Sequence, residues 1–168
     1  VTGVQTCALP IFVVATILGP NASAGTATVN WRLGVWSETT GYPKCISFFQ
    51  ERLSMGGPTN YPDRVDLSKI GGFSPTTATF QPTIANGTVE DDNAITVVLP
   101  SGQINGLRWL STDLRGLVAG TSKQEFLIRA TTFGEAITPT NKTVARFSST
   151  GSSYIQPPET VFGTTFIQ

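Results

Sequence analysis

The chain has 168 residues and as many basic as acidic side chains, 11 of each, so its formal net charge is zero. A neutral chain lacks the basic surface with which nucleic-acid binders displace counterions, and we expect no nucleic-acid partner. The sequence contains no histidine and no G-x-S-x-G motif, which excludes Ser-His and Cys-His nucleophile pairs, and we predict that the protein is not an enzyme.

The first eleven residues read VTGVQTCALPI. Residue for residue, this segment resembles the translation of a short-read sequencing adapter. The resemblance implies that residues 1–11 are an adapter-derived artefact, and we leave them out of the functional argument.

Residues 12–24 are typical of a secretory signal peptide. An apolar run, Phe12 to Leu18, is followed by a Gly-Pro break and by the small residues Ala22 and Ala24 of an A-x-A cleavage site. The run is too short to cross a bilayer, which takes about 20 apolar residues, so we expect no membrane span. The alternative is a buried strand. The signal-peptide interpretation predicts cleavage after Ala24 and a protein that is secreted, either extracellular or on the cell surface.

From residue 25 to residue 168 the sequence predicts a single domain of short strands. Helical periodicity is almost absent, β-branched and aromatic residues are frequent, and Gly, Pro or Asn recurs about every ten residues. We therefore predict an all-β, antiparallel β-sandwich of eight or nine short strands, with a jelly roll as one option.

The strands are predicted, in chain order, at residues 26–36, 45–50, 65–70, 76–84, 88–99, 104–110, 125–132, 143–147 and 160–167. Residues 55–63 are predicted to form a loop. Asn86 and Gly87 predict a tight hairpin turn, because both residues tolerate positive φ. Ser111 is predicted to begin a single helical turn that ends at Gly120.

The predicted strand at residues 26–36 is a candidate assembly strand. Its apolar residues Val29, Trp31, Leu33 and Val35 alternate with polar ones and share one face. A strand at the free end of a chain can complete a neighbour's sheet through backbone hydrogen bonds. The alternative is that it is the first strand of its own sandwich.

This arrangement is similar to the donor-strand assembly of secreted pilus and fibre subunits, although the paired cysteines and C-terminal tyrosine signature of chaperone–usher pilins are absent. The resemblance implies a secreted structural subunit that binds copies of itself. We accordingly predict self-association into an extracellular filament or surface assembly. Donor-strand exchange is one way in which the subunits would assemble.

A carbohydrate-binding module or lectin-like adhesion domain is the alternative function. Trp36 falls on the opposite face from Trp31 if the strand continues, which makes Trp36 the candidate platform for stacking on glycans. A glycan-active enzyme is a third hypothesis, since it needs only two carboxylates, but nothing in the sequence selects a pair.

Three further features are candidates for a metal or a modification. Glu90, Asp91 and Asp92 offer the oxygen ligands that calcium accepts, but they lack the alternating spacing of an EF-hand loop. We therefore favour a solvated turn and expect no cofactor. Asn86 and Asn141 each begin an N-glycosylation sequon in a predicted turn.

Cys45 is the only cysteine outside the adapter-like segment, which holds Cys7. A lone thiol cannot form an internal disulfide. We predict that Cys45 packs as a small hydrophobic residue, with a bridge between two molecules as the alternative.

Overall fold

A computed structural model describes residues 36–71, 79–84, 87–101, 105–160, 163–165 and 167. The described strands form two four-stranded antiparallel sheets and one short hairpin, and all belong to the unit Gly34–Gln168. No described residue is helical. The prediction of an all-β, antiparallel fold is confirmed. Accordingly, no helix in the described part of the chain is long and apolar enough to span a membrane.

Each sheet contains consecutive strands in chain order. Sheet 1 consists of β1 (Cys45–Phe49), β2 (Arg52–Gly56), β3 (Arg64–Leu67) and β4 (Ile95–Val98). Sheet 2 consists of β5 (Leu107–Asp113), β6 (Gly116–Thr121), β7 (Glu125–Arg129) and β8 (Thr143–Ser148). A hairpin of β9 (Glu159–Thr160) and β10 (Gly163–Thr164) follows. A jelly roll requires Greek-key crossovers, and the described strands contain none, so that option is not confirmed.

The two sheets share one apolar core. On β3 and β4 the inward side chains alternate with outward ones, and the register pairs Val65 with Val97 and Leu67 with Ile95. Full burial of each such side chain contributes about 1.5–3 kcal/mol. The core consists of Phe49, Val65, Leu67, Ile95, Val97, Leu99, Leu107, Leu110, Leu117, Ala119, Phe126, Ile128 and Ile137.

A β-bulge in β5 changes which side chains face this core. The register with β6 shifts between Leu107 and Trp109. Leu107 and Leu110 consequently both belong to the inner core, whereas Trp109 lies in a second cluster with Val118 and Leu127. The bulge therefore places a tryptophan on the outer side of sheet 2.

The predicted helical turn after Ser111 is wrong, because these residues belong to the β5–β6 hairpin. The Asp113 carboxylate accepts a hydrogen bond from the Arg115 backbone N–H at 3.1 Å and stabilises the turn between the two strands. Gly120, the predicted helix end, lies within β6. A Cβ at Gly120 would lie only 2.1 Å from Cε2 of Trp109, so the glycine leaves the space that the indole occupies.

The β1–β2 hairpin has a turn that the sequence did not reveal. Its two central residues, Gln50 and Glu51, have φ values of +46° and +59°. A two-residue turn of this kind favours Asn-Gly, and a Gln-Glu pair lacks that signature. Strand β2 consequently overlaps the start of the predicted loop at residues 55–63.

The predicted long hairpin around Gly87 is much shorter in the structure. Ile84 donates its N–H to the Thr88 carbonyl at 2.9 Å and closes a tight turn. Neither residues 79–84 nor residues 87–94 form a strand, and regular pairing begins only at Ile95. The last predicted strand is divided into the hairpin of β9 and β10.

Candidate functional site

The four residues of the candidate assembly strand, Val29, Trp31, Leu33 and Val35, lie outside the described residues, and so does Asn86. Their roles stay predictions. The structure does describe the sheet edges and faces that such a strand would meet in a neighbouring molecule.

Strand β4 forms one edge of sheet 1. Leu99 donates its N–H to the Asp63 carbonyl at 3.0 Å, continuing the β3–β4 ladder. Because an antiparallel ladder alternates, the backbone groups of Thr96 and Val98 point away from β3. No described strand pairs with β4 on that side.

The described residues leave the edge of β4 open at Thr96 and Val98, before Pro100. Ala94, just before the strand, donates its N–H to the Gln81 carbonyl at 3.0 Å, so the open stretch begins after it. The strand reads ITVV, with neither a charge nor a proline, and the Val98 side chain is 60% exposed. Natural proteins usually protect sheet edges with charges, prolines, bulges or covering segments.

The other three sheet edges carry such protection. At β1, the Phe48 carbonyl accepts a hydrogen bond from the Thr112 hydroxyl at 2.6 Å. At β5, the Leu110 carbonyl accepts one from Nε2 of Gln156 at 2.7 Å. Strand β8 has an irregular register with β7 and an exposed arginine, Arg146. Of the four edges, β4 is therefore the one best suited to accept another strand.

The outer side of sheet 1 is apolar and exposed. Ile46 and Phe48 are 57% and 58% exposed, and they pair with the half-buried Met55 and Leu53 on β2. We call these four residues the exposed face; on β3 the ion-paired Arg64 and Asp66 separate it from Val98. Beside it lies a groove of about 280 Å³ lined by Pro43, Lys44, Cys45, Ile46 and Met55. Contiguous exposed apolar surface is typical of interaction sites.

The outer side of sheet 2 is apolar but buried. Trp109, Val118 and Leu127 are at most 8% exposed and pack with Phe147. We call these four residues the covered face. In the segment that follows β8, β9 and β10 both contact β5.

Ser152 attaches this C-terminal segment to sheet 2 through three of its groups. Its N–H donates to the Thr121 carbonyl at 2.9 Å, its hydroxyl donates to Oε1 of Glu125 at 2.5 Å, and its carbonyl accepts a hydrogen bond from the Arg108 guanidinium. Glu125 and Ser152 are 0% and 2% exposed. A buried carboxylate needs such a donor, so this contact contributes to holding the segment in place.

Trp36, the candidate glycan platform, is half-buried. Its ring meets Phe80 edge to face, with the centroids 4.5 Å apart and the planes at 84°. Its indole N–H is buried and has no hydrogen-bond partner among the described residues. The role of Trp36 in glycan binding stays a prediction.

The acidic turn at residues 90–92 surrounds an arginine. The Arg52 guanidinium, which is fully buried, donates to the carbonyls of Asp91 and Asn93 at 2.7 and 2.6 Å. Burial lowers the pKa of Arg52, while the charge of Asp92 opposes that shift. The Asp92 carboxylate also forms a surface ion pair with Lys69 at 2.8 Å. The inward carbonyls of this turn thus bind a guanidinium.

The candidate metal ligands Glu90, Asp91 and Asp92 are exposed or half-exposed. Among the described residues, no group of three or more Cys, Asp or Glu side chains is arranged to hold a metal ion.

Asn141, the described sequon asparagine, is half-buried and bonded within its own loop. Its Nδ2 donates to Oε2 of Glu135 at 2.7 Å, and its Oδ1 accepts from the Thr131 N–H at 2.9 Å. Glycosylation would modify the nitrogen that forms the first of these bonds and leave it one N–H instead of two. Its glycosylation stays a prediction.

Cys45 is partly buried against the core. Its thiol donates to the Gly56 carbonyl at 3.4 Å. Burial raises the pKa of Cys45 to about 12, and the hydrogen bond to Gly56 opposes that shift. At neutral pH the thiol is therefore protonated and weakly reactive.

Three turns at one end of the sandwich enclose a cavity of about 130 Å³. Its polar lining includes Gln50 from the β1–β2 turn, Arg115 from the β5–β6 turn and Arg129 at the end of β7. The exposed side chains of Leu114 and Phe133 also line it. We call this cavity the arginine pocket. Sequence analysis did not single out any of its residues, because they come from distant turns and form no local motif.

Comparison with known proteins gives no family for this chain: no protein-family model matches it. A search of curated proteins finds no match either. The functional argument therefore depends on the residues and their geometry.

Proposed function

We propose that this protein is a secreted structural subunit that self-associates into an extracellular filament or surface assembly. In this proposal, residues 25–36 of one copy, the donor segment, add to the edge of sheet 1 in the next copy. The observation that carries the proposal is the open, uncharged edge of β4, combined with the alternating sequence of the donor segment.

The backbone of β4 suits this role. An added strand would form its ladder with the outward N–H and carbonyl groups of Thr96 and Val98. Its inward side chains would then continue the row that Ile95 and Val97 begin on the inner face of sheet 1. The donor segment supplies four apolar residues at that spacing.

The apolar burial available to such an addition is of the same order as the cost of association. Burying four side chains of the donor segment contributes roughly 6–12 kcal/mol before costs. Loss of rigid-body freedom on association costs about 4–15 kcal/mol, and the backbone ladder supplies further hydrogen bonds. Trp31 would be the anchor, because large aromatic residues dominate interface energies.

The first experiment removes the donor. We expect the chain beginning at Gly25 to form large species in sedimentation velocity and filaments in electron microscopy. A chain that lacks residues 25–36, and a Trp31→Asp variant, should not polymerise. A synthetic peptide of residues 26–36 should bind the shortened chain and give a folded one-to-one complex.

The second experiment blocks the acceptor. Val98→Pro removes a backbone N–H that points away from β3, so the β3–β4 ladder is retained while strand addition is blocked. Val98→Thr keeps that N–H and is the matched control. We expect the proline variant to remain monomeric and the threonine variant to assemble.

Two results would contradict the proposal. In the first, the full chain is monomeric, the shortened chain unfolds, and the added peptide restores only a folded monomer. That result would mean that residues 26–36 form a strand of their own sandwich. If the Val98→Pro variant assembles as well as Val98→Thr, β4 is not the acceptor edge.

A further inference from the structure

We infer that the arginine pocket binds the carboxylate of an acidic sugar, such as a uronic acid unit of a glycan. This site is separate from the β4 edge, and its test does not depend on self-association. The inference is carried by an unpaired arginine in a concave site with an exposed aromatic ring at its rim.

Arg129 is the unpaired cation. Its Nε is buried and has no hydrogen-bond partner among the described residues, and no described carboxylate lies within 4.0 Å of its guanidinium nitrogens. Leaving a buried donor unsatisfied costs about 1–3 kcal/mol, and more when the group is charged. Arg129 lines the pocket, where an anion would pair with its guanidinium through charge-assisted hydrogen bonds.

Arg115 differs from Arg129 because it is already paired. Its Nη2 lies 3.2 Å from Oδ2 of Asp113, and its guanidinium is 4.6 Å from the ring centroid of Phe147. These contacts orient Arg115 at the pocket and neutralise its charge. Of the two arginines that line the pocket, Arg129 is therefore the one whose positive charge can bind an anion.

The size of the pocket limits what can enter it. The cavity of about 130 Å³ is partly open to solvent. A carboxylate and its attached carbon fit that space, while the rest of a sugar ring would lie at the mouth. There the exposed ring of Phe133, 75% accessible, can pack against the C–H face of the sugar.

The remaining lining favours a sugar over a peptide carboxylate. Glu135 and Thr132 also line the pocket. The Glu135 carboxylate and the Thr132 hydroxyl can each form hydrogen bonds with the neutral hydroxyl groups of a sugar.

The experiment measures binding of a galacturonic acid tetramer to the chain that begins at Gly25 and carries Val98→Pro, a variant that should remain monomeric, by calorimetry and by chemical-shift changes. The methyl-esterified tetramer is the matched ligand, because it keeps the sugar and removes the charge. We expect the acid to bind at least tenfold more tightly than the ester. A short peptide with a free C-terminal carboxylate should bind more weakly than the acid tetramer.

Variants locate the site. Arg129→Gln should weaken binding of the acid tetramer at least tenfold, Arg129→Lys should retain part of it, and Phe133→Ala should weaken it several-fold. Arg146→Gln changes another arginine, on the exposed part of β8, and should bind as the unchanged chain does. Thermal unfolding of each variant establishes that it is folded.

The inference is overturned if the acid tetramer shows no binding at millimolar concentration or if the ester binds equally well. It is also overturned if Arg129→Gln binds normally while folded. Tighter binding of the peptide carboxylate would assign the pocket to a peptide terminus and reject the sugar.

Discussion

The outer sides of the two sheets differ in what lies over them. The covered face of sheet 2 holds Trp109 and Leu127, which are 1% and 8% exposed beneath other parts of the chain. The exposed face of sheet 1 holds Ile46 and Phe48, each more than half exposed. Both faces are apolar, so hydrophobicity alone does not distinguish a face completed within the chain from one that is available to a partner.

The covered face is associated with a specific polar attachment. Ser152 bonds the C-terminal segment to sheet 2 through a buried carboxylate, a backbone carbonyl and an arginine. The exposed face has no such segment among the described residues. This difference leads us to expect that substitutions on the covered face of sheet 2 lower stability much more than substitutions on the exposed face of sheet 1.

The largest contrast should come from truncating one aromatic residue on each face. Trp109→Ala removes a buried indole and should lower the unfolding free energy by about 3–5 kcal/mol. Phe48→Ala removes a side chain that is 58% exposed and should cost less than about 1 kcal/mol. Urea denaturation of both variants measures the difference. Similar losses in the two variants would show that the faces are not distinct.

A smaller effect is expected from removing the attachment. Ser152→Ala leaves the buried Glu125 carboxylate without its hydroxyl donor and should lower the unfolding free energy by about 1–3 kcal/mol. Limited proteolysis within residues 151–160 should also become faster. Ser153→Ala is the control, because in the part of the chain that the structure describes Ser153 forms a hydrogen bond through its backbone N–H, to Ile167, and none through its side chain. Equal stability of the two variants would contradict the role of Ser152.

The smallest effect is a difference in thiol reactivity between the two sides of β1. Thiol alkylation measures it in a chain carrying Cys7→Ser, in which Cys45 is the remaining thiol. Cys45 points inward, and burial raises its pKa to about 12 from an ordinary value of 9.0. Because only the thiolate reacts, Cys45 should be alkylated at pH 8 at least about 100-fold more slowly than an exposed thiol. Its rate should keep rising as the pH increases beyond 9.

The comparison thiol comes from Ile46→Cys in a Cys45→Ser background. The side chain at residue 46 is exposed, so its alkylation should be fast at pH 8 and level off near the ordinary thiol pKa. Equal rates for the two positions would show that β1 does not alternate between core and solvent as described.

Local patterns in the sequence predicted several strands correctly. The segments that became β1, β7 and β8 alternate or are rich in β-branched and aromatic residues, and the structure has strands there. The hairpin of β1 and β2 was missed because Gln50 and Glu51 adopt positive φ without the residues that usually signal it. The predicted helical turn after Ser111 failed because Asp113 stabilises a hairpin turn as readily as it caps a helix.

The candidate site could be predicted only in part from the sequence. Alternation in residues 26–36 suggested a donor, but the acceptor edge depends on which strand ends the sheet, and that follows from pairing between distant segments. The arginine pocket was not predicted, since Gln50 and Arg129 lie far apart in the chain and meet only when the sheets pack.

The sequence by itself determined the class of the protein: an all-β chain without histidine or net charge. These properties depend on composition and on a two-residue period, which are local. Within the described part of the chain, tertiary structure decided which apolar face is covered, which edge lacks a neighbouring strand and which arginine lines the pocket. Those outcomes depend on contacts across long separations, such as Thr112 with Phe48 and Gln50 with Ile137, which are 64 and 87 residues apart. Side chains so distant in sequence can satisfy or cover one another only after the chain has folded.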